Sequence, residues 1–183
     1  MTDTEQKILD AALKIFAKKG YDAATTRVIA EESGYTEMTL FRKFGTKKNL
    51  FEQVMEKGNK KMKEHISSEL SLKQEFKNTR DFLTAYIKNL NNFLFDNFEF
   101  FHLSITEENK TETILKSTIE IIVEYINKNI SKKNLNTQTF GFSIFTYLYS
   151  LNIDRYYNRT STFEDYDESL IKLVDILYCM VKT

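Results

Sequence analysis

The sequence contains no proline and only five glycines in 183 residues. Folds rich in β-structure need many tight turns, which draw on these two residues, so their scarcity argues against a sandwich or a barrel. Hydrophobic residues make up 42% of the chain and charged residues 28%, which is enough for a buried core and excludes a disordered chain. The composition therefore predicts an all-α fold of long helices joined by short polar loops.

Cysteine is almost absent, and long apolar runs are missing. Cys179 is the only cysteine, so it cannot form an internal disulfide, and no Cys/His cluster indicates a metal site. No apolar run reaches the roughly 18–20 residues that span a bilayer, and segment 1–5 is polar and acidic, unlike a signal peptide. These absences predict a cytoplasmic protein with no membrane partner, no metal and no cofactor.

An excess of charge of one sign is also missing, because 26 Lys and Arg residues balance 26 Asp and Glu residues. The distribution is uneven, since residues 39–50 contain four cations, Arg42, Lys43, Lys47 and Lys48, and no acid. A local basic surface on a neutral chain is typical of a protein that contacts nucleic acid with one small face. A solvated helix end is the alternative interpretation, so the cluster needs support from other features.

A capping pattern marks the first helix. Thr2 and Glu5 have the spacing of a capping box, and Thr4 is an equally good cap. Apolar residues at helical spacing follow, and Gly20 comes after two lysines, which is typical of a helix C-terminus. The first helix is therefore predicted over residues 4–19.

Two more short helices follow, separated by a short turn. A threonine cap opens the second helix, Gly34 closes it, and Thr36 caps the third. Ala30 is small where the two helices would cross, and Gly34 can adopt the left-handed conformation that redirects the chain. Two helices joined by a turn of about three residues that contains glycine form the helix-turn-helix pattern. The sequence thus predicts this motif, with Ile29 and Leu40 beneath the crossing.

This N-terminal segment resembles the DNA-binding domain of the tetracycline-repressor (TetR) family over nearly the whole length of that domain. The resemblance is carried by Phe16 and by residues 8–12, 20–21, 25–30, 33–35 and 39–50. It implies a DNA-binding domain over 1–48 and a helical effector-binding and dimerisation domain over 49–183. The implied function is a DNA-binding transcriptional regulator, in the first instance a ligand-responsive repressor that binds a palindromic operator in double-stranded DNA as a homodimer.

The third helix is the candidate recognition helix, because such helices place their N-terminal side chains at base edges in the major groove. Glu37 could accept from a cytosine amino group, or it could be a solvated acid that favours the helix N-terminus. Arg27 matches a family position that reaches a base or a phosphate, with a plain surface arginine as the alternative. The predicted DNA-binding residues are Thr26, Arg27, Thr36, Glu37, Met38, Thr39, Phe41, Arg42, Lys43 and Lys47.

Phosphate contacts are predicted for Arg42, Lys43 and Lys47, together with backbone N–H groups at the start of the fourth helix. Thr26 is a candidate both for capping the second helix and for binding a phosphate. Phe41 departs from the family pattern, in which a tyrosine hydroxyl contacts a phosphate at this position. Phe41 has no hydroxyl, which removes the basis for that contact and makes Lys43 the candidate to replace it.

The rest of the chain is predicted to form six helices, at about 46–67, 75–97, 98–106, 109–131, 137–157 and 164–181, so that the whole fold has about nine. It is rich in aromatic residues, which fill cores and also line ligand pockets. The resemblance implies a pocket among these helices, and the aromatic lining suggests a hydrophobic or aromatic effector. The predicted pocket residues are Phe82, Tyr86, Phe93, Phe101, His102 and Phe145. Core packing is the alternative for the aromatic residues, and a structural role is the alternative for His102.

An apolar stripe runs along the last predicted helix. The resemblance implies that the last two helices pair with their copies across a two-fold axis as a four-helix bundle, which suits a palindromic operator. The predicted interface residues are Leu148, Leu151, Leu170, Leu173, Val174, Leu177, Met180 and Val181. Cys179, beside this stripe, is interpreted as a small hydrophobic residue.

The sequence contains no glycine-rich phosphate loop, nucleophile elbow or metal-ligand spacing. Its adjacent acid pairs, at 31–32 and 107–108, would point in different directions on a helix, which is poor geometry for shared catalysis. We therefore expect a protein that is not an enzyme. The alternative to the ligand-responsive regulator is a DNA-binding protein without a small-molecule effector, regulated by a protein partner.

Overall fold

A computed structural model describes residues 2–72, 74–107, 112–130, 135–159 and 165–182. Within these ranges the chain forms nine helices and no strand, which confirms the all-α prediction. The helices are α1 (Asp3–Ala23), α2 (Thr26–Ser33), α3 (Glu37–Phe44), α4 (Lys47–Leu70), α5 (Thr79–Asp96), α6 (Phe98–Thr106), α7 (Glu112–Asn129), α8 (Thr137–Tyr156) and α9 (Tyr166–Val181). No helix in the described part of the chain combines the length and the apolarity required to cross a bilayer.

The first helix begins at the predicted capping box. The Thr2 hydroxyl accepts from the Glu5 N–H at 3.3 Å, and the Thr2 N–H donates to the Glu5 carboxylate at 2.9 Å, so Thr2 rather than Thr4 is the cap. Gly20 interrupts the helix with φ 76° and ψ 165°, a conformation that favours glycine. The predicted break after residue 19 is therefore present, and one further helical turn carries the chain to Ala23.

The boundaries of the later helices agree with the sequence to within a few residues. The largest difference is at α5, which was expected from residue 75 and begins at Thr79. The Asn78 side chain accepts from the Asp81 N–H at 2.9 Å, and this cap decides the start of the helix. Three predicted helix ends, at residues 109, 131 and 164, lie outside the described residues.

Contacts divide the chain into two compact units, which is a different division from the predicted boundary at residue 48. The first unit comprises Met1–Glu64 and Glu99–Leu115, and the second comprises His65–Phe98 and Lys116–Thr183. Helix α6 joins the first unit because the Phe100 ring packs directly on Gly58 of α4. A methyl group at Gly58 would lie 2.1 Å from Phe100 Cε2, so only glycine permits this approach.

The second unit is built around α5, α8 and α9. Tyr86 stacks on Phe82 and Tyr125, with ring centroids 5.6 and 4.9 Å apart. Beside this aromatic core lie Asn91 and Asn152, which are 1% and 0% exposed, and the Asn152 amide donates to Asn91 Oδ1 at 3.1 Å. Both asparagines also hydrogen-bond to the hydroxyl of Tyr166, so the buried polar groups satisfy each other.

Candidate nucleic-acid interface

The turn between α2 and α3 has the geometry that the sequence predicts. Gly34 is left-handed, with φ 75° and ψ 17°, and the Tyr35 N–H donates to the Ala30 carbonyl at 3.0 Å. The Thr36 hydroxyl then accepts from the Thr39 N–H at 3.2 Å and caps α3. Three residues therefore separate the two helices, and the caps at both ends of the turn set the direction in which α3 leaves.

A small apolar core holds α3 on the rest of this unit. Ile29 and Leu40 are 0% exposed, and Ala30 is 2% exposed, as expected for residues at and beneath the crossing. Phe44, at the end of α3, is buried as well. Burial of this face leaves the opposite face of α3 to solvent.

The solvent face of α3 carries large apolar side chains. Met38 is 82% exposed and Phe41 is 45% exposed, beside the exposed residues Thr36 and Arg42. Exposed apolar groups next to a cation are poorly explained by folding and suit a binding surface. In the major groove, apolar side chains contact the methyl group of thymine.

Glu37 joins α2 to α3, which neither sequence interpretation anticipated. The Thr26 hydroxyl donates to Glu37 Oε1, so both side chains are engaged with each other. The cap of α2 is Thr25, whose hydroxyl accepts from the Val28 N–H at 3.3 Å, and Thr26 is the first helical residue. The suggested capping role of Thr26 is therefore wrong.

Arg27 lies on the surface of α2. Its side chain is 79% exposed, and Nε donates to Glu31 Oε1 at 3.0 Å, one helical turn away. An exposed pair of this spacing contributes only about 0.3–0.5 kcal/mol, so the guanidinium can leave it at little cost. Arg27 is thus held loosely on the outside of the motif.

Lys43 is neutralised within the chain. Its ammonium lies 3.2 Å from Glu5 Oε1, and both side chains are 28% exposed. The Thr2 N–H and then the Lys43 ammonium hold the pKa of Glu5 below its ordinary value. A phosphate would have to compete with this carboxylate for Lys43.

Lys47 has neutral partners instead. Its Nζ donates to the Asp22 carbonyl at 3.1 Å and lies 4.4 Å from the centroid of the Tyr21 ring. Neither group carries a charge, so the positive charge of Lys47 remains for an external anion. The first turn of α4 begins beside it, where the Thr46 hydroxyl accepts from the Asn49 N–H at 3.1 Å.

The predicted pocket residues fall in both compact units. Phe82, Tyr86, Phe93 and Phe145 belong to the second unit, and Phe101 and His102 belong to the first. The five aromatic rings are no more than 5% exposed, and burial lowers the pKa of the half-buried His102. The Tyr86 hydroxyl is buried with no hydrogen-bond partner among the described residues, and burial raises its pKa.

The predicted interface residues mostly face the interior of the chain itself. Five of them are no more than 6% exposed: Leu148, Leu151, Leu173, Val174 and Leu177. Leu170 and Val181 are half-buried, and Met180 is 48% exposed. Within the single chain these five side chains present almost no exposed surface, because they pack in its own core. The exposed large apolar residues of α8 and α9 are Phe142, Ile171, Ile176 and Met180.

The sequence predicts no DNA-binding role for Tyr21, Asp22 or Glu107, which lie around Lys47 or hold its neighbours. Tyr21 lies in the segment that carries the family resemblance, so its neighbourhood was visible, but its contacts were not. The Glu107 carboxylate accepts from the Tyr21 N–H at 2.7 Å across 86 positions of sequence. No local sequence pattern predicts a contact between residues so far apart in the sequence. Among the described residues, no group of His, Cys, Asp and Glu is placed to hold a metal ion.

A sequence profile described as "Bacterial regulatory proteins, tetR family" matches residues 8–54. A Bacillus subtilis protein, the uncharacterized HTH-type transcriptional regulator YvkB, is 46% identical over 55 residues, which is 30% of this chain and 29% of that protein. The HTH-type transcriptional repressor AcnR of Corynebacterium glutamicum is 36% identical over 66 residues, which is 36% of this chain and 35% of AcnR. The chain thus aligns with about a third of the length of these relatives.

Similarity of fold extends along nearly the whole chain. The structure of AibR in complex with isovaleryl coenzyme A and operator DNA has a TM-score of 0.69, covers 96% of this chain and 98% of its own, and is 15% identical. At this identity the likeness shows the fold alone. The segment that matches the family profile, residues 8–54, contains both α2 and α3. The profile match and the helix-turn-helix geometry thus fall on the same part of the chain.

Proposed function

We propose, from the match of residues 8–54 to the tetR family of bacterial regulatory proteins, that the chain is a DNA-binding transcriptional regulator, in the first instance a repressor. The observation that carries the proposal is the solvent face of α3, which presents Met38 and Phe41 on a firmly capped helix. A rigid helix with an exposed reading face is what major-groove recognition requires. A regulator that acts on bacterial DNA would work in the cytoplasm, and no enzymatic activity is proposed.

Sequence readout is assigned to the apolar face of α3 and to α2. Met38 and Phe41 would contact thymine methyl groups, and Arg27 would leave Glu31 to reach a guanine or a phosphate. Glu37 is hydrogen-bonded to Thr26, so in this proposal its main effect is to fix α3 against α2. Thr36 and Thr39, which hydrogen-bond to each other, complete the DNA-facing surface of α3. The proposal therefore favours an operator with thymines in each half-site.

Phosphate binding is assigned first to Lys47 and Arg42 and only second to Lys43. Lys47 keeps its charge beside neutral partners, and Arg42 is exposed, whereas Lys43 is paired with Glu5. Contacts to phosphates position the domain and carry no direct sequence information. Their loss weakens all DNA sequences alike and lowers the salt dependence of binding.

A homodimer is proposed through α8 and α9, as the family resemblance implies. Segment 137–153 contains no charged residue, although several of its side chains are exposed, and Phe142 is 48% exposed. Depletion of charge on an exposed surface is typical of the core of an interface. On α9, Ile171, Ile176 and Met180 extend the candidate surface. A symmetric dimer would match a palindromic operator.

A hydrophobic or aromatic small-molecule effector is proposed for the domain over residues 49–183. AibR, whose fold is similar, is seen with isovaleryl coenzyme A as well as operator DNA. The buried hydroxyl of Tyr86 supports a polar contact to such an effector, because a buried hydroxyl without a partner costs about 1–3 kcal/mol. The alternative is that a protein partner regulates the chain. It is supported by the close stacking of Phe82, Tyr86 and Tyr125, because tightly packed rings leave no space between them for a small molecule.

The proposal is tested by selecting operators from a random DNA library with the full chain and measuring affinity at fixed salt. Arg27→Ala should cost about 1–3 kcal/mol at one base pair, and Lys47→Ala should weaken all sequences alike. Lys57→Ala is the matched control, because Lys57 pairs with Asp10 on the side of α1. Selection of no sequence above non-specific binding would refute the function, and a sequence-selective loss in Lys47→Ala would refute its assignment.

The sensing part of the proposal has its own measurement. An effector and the operator must each weaken the binding of the other by the same factor, because their coupling is reciprocal. Titration of candidate apolar ligands into the free chain and into its operator complex gives both factors. A ligand that binds both forms equally would contradict its role as an effector.

A further inference from the structure

The residue that follows α6 is hydrogen-bonded to the last turn of α1. The Glu107 carboxylate accepts from the Tyr21 N–H at 2.7 Å, and both residues belong to the first compact unit. It also lies against Gly20, where an added Cβ would be 3.5 Å from Glu107 Oε1. Since Gly20 has φ 76°, the N–H of the next residue leaves the helix and is available to this carboxylate.

Tyr21 is held on both its backbone and its ring. The ring stacks on Phe16 at 5.8 Å and meets Phe51 edge-on at 5.0 Å. Phe16 is 0% exposed, so these contacts fasten the ring to the core of the unit. With its N–H held by Glu107, Tyr21 has little freedom to move.

Lys47 rests on this anchored residue. Its Nζ lies 4.4 Å from the Tyr21 centroid and 3.1 Å from the carbonyl oxygen of Asp22, the next residue along the chain. A lysine side chain in solvent loses conformational freedom when it is fixed. Two neutral contacts that fix the ammonium in advance therefore make its later binding to a phosphate more favourable.

We propose that Glu107 is a positioning residue for DNA binding: it locks residues 20–22 and, through Tyr21 and Asp22, holds the Lys47 ammonium where a DNA phosphate meets it. This role rests on the proposed function. It makes α6 part of the phosphate-binding apparatus, although Glu107 itself touches no DNA. Lys43 has no such support, because its own partner is the opposing charge of Glu5.

Operator affinity and its salt dependence test the role in a double-mutant cycle. Glu107→Ala should weaken operator binding about fivefold and lower the slope of log affinity against log salt by about one. In a Lys47→Ala background the same substitution should have no further effect. Glu107→Gln keeps an acceptor oxygen and should retain most of the affinity. An additive loss in the two backgrounds would overturn the proposal.

A matched control separates positioning from charge and folding. Glu32→Ala removes one negative charge from the same unit at a residue that pairs with Lys14 and does not touch Tyr21. It should leave the dependence on Lys47 unchanged. Thermal unfolding of every variant identifies any loss of affinity that follows from loss of structure.

A measurement without DNA tests the contact itself. In nuclear magnetic resonance spectra of the full chain, hydrogen exchange of the Tyr21 amide should be about tenfold faster in Glu107→Ala than in the unaltered chain. An unchanged Tyr21 amide would overturn the positioning role alone, whereas failure of the unaltered chain to select an operator would refute the proposed function and this role with it.

Discussion

The two compact units of this chain differ in the contacts that stabilise each of them internally. In the first, threonine caps fix the starts of α1, α2 and α3, and ion pairs such as Lys14–Glu32 and Lys57–Asp10 link separate helices at the surface. In the second, aromatic rings stack in the core beside the hydrogen-bonded Asn91, Asn152 and Tyr166. The comparison teaches that the helix-turn-helix of the first unit is set by caps a few residues apart, whereas the buried polar network of the second unit joins residues that are distant in sequence.

The largest expected effect comes from a glycine in each unit. A methyl group at Gly58 would lie 2.1, 2.2 and 2.9 Å from three atoms of the buried Phe100 ring, whereas at Gly141 it would meet one Val123 methyl at 2.8 Å. Gly58→Ala should therefore destabilise the chain by about 2–3 kcal/mol, and Gly141→Ala by about 1 kcal/mol or less. Urea unfolding of both variants measures the difference.

A rescue variant controls for causes other than overpacking. Phe100→Leu in the Gly58→Ala background should recover part of the lost stability, because it removes the ring from the space of the new methyl group. Equal destabilisation by the two alanines would contradict the closer approach of α4 and α6.

The next largest effect concerns the buried polar network of the second unit. Tyr166→Phe removes the hydroxyl that accepts from Asn91 and from Arg155 Nη1, the latter at 3.1 Å, and that donates to Asn152 at 3.3 Å. Both asparagines are buried and would each lose a partner, so unfolding free energy should fall by about 1–2 kcal/mol. Thermal denaturation gives the value, with Tyr178→Phe as the control at a half-buried tyrosine of the same helix. A loss no larger than that of the control would show that the network adds nothing to stability.

The smallest effect concerns the surface of the first unit. The pKa of Glu5 is held below 4.5 by the Thr2 N–H and the Lys43 ammonium. A carboxyl with a lowered pKa in the folded state stabilises the fold above its unfolded pKa, and this contribution is lost as the pH falls through the folded value. Glu5→Gln should therefore flatten the dependence of stability on pH below 4.5 and leave it unchanged near neutrality. An identical pH profile for both chains would contradict the pairing.

Much of the first unit could be predicted from the residues. Thr2, Thr36 and Gly34 act within three or four positions of themselves, through hydrogen bonds that any chain with that local pattern can form. The all-α class followed from the scarcity of proline and glycine, and the identity of the motif followed from the register of Ala30, Gly34 and Leu40. These are properties of short segments, so no knowledge of distant contacts was needed.

The partners of the candidate DNA-binding residues could not be read in this way. Thr26 engages Glu37, Lys43 engages Glu5, and Lys47 engages the carbonyl of Asp22, and each pair joins residues that no helical periodicity relates. The sequence shows the apolar stripe on α9, but it does not show which surface the stripe packs against. A stripe that packs on its own core and a stripe that packs on a copy have the same sequence pattern.

The helix-turn-helix, its caps and its glycine turn were determined by the sequence itself, because they rest on hydrogen bonds that backbone groups and threonine hydroxyls form with near neighbours. Only the tertiary structure decided that α6 packs with the first unit, that Glu107 meets Tyr21, and that Leu173 and Leu177 face inward. The reason is that these outcomes depend on which helix faces are brought together when the chain collapses. That choice is made by the fit of side chains far apart in sequence, such as Phe100 on Gly58.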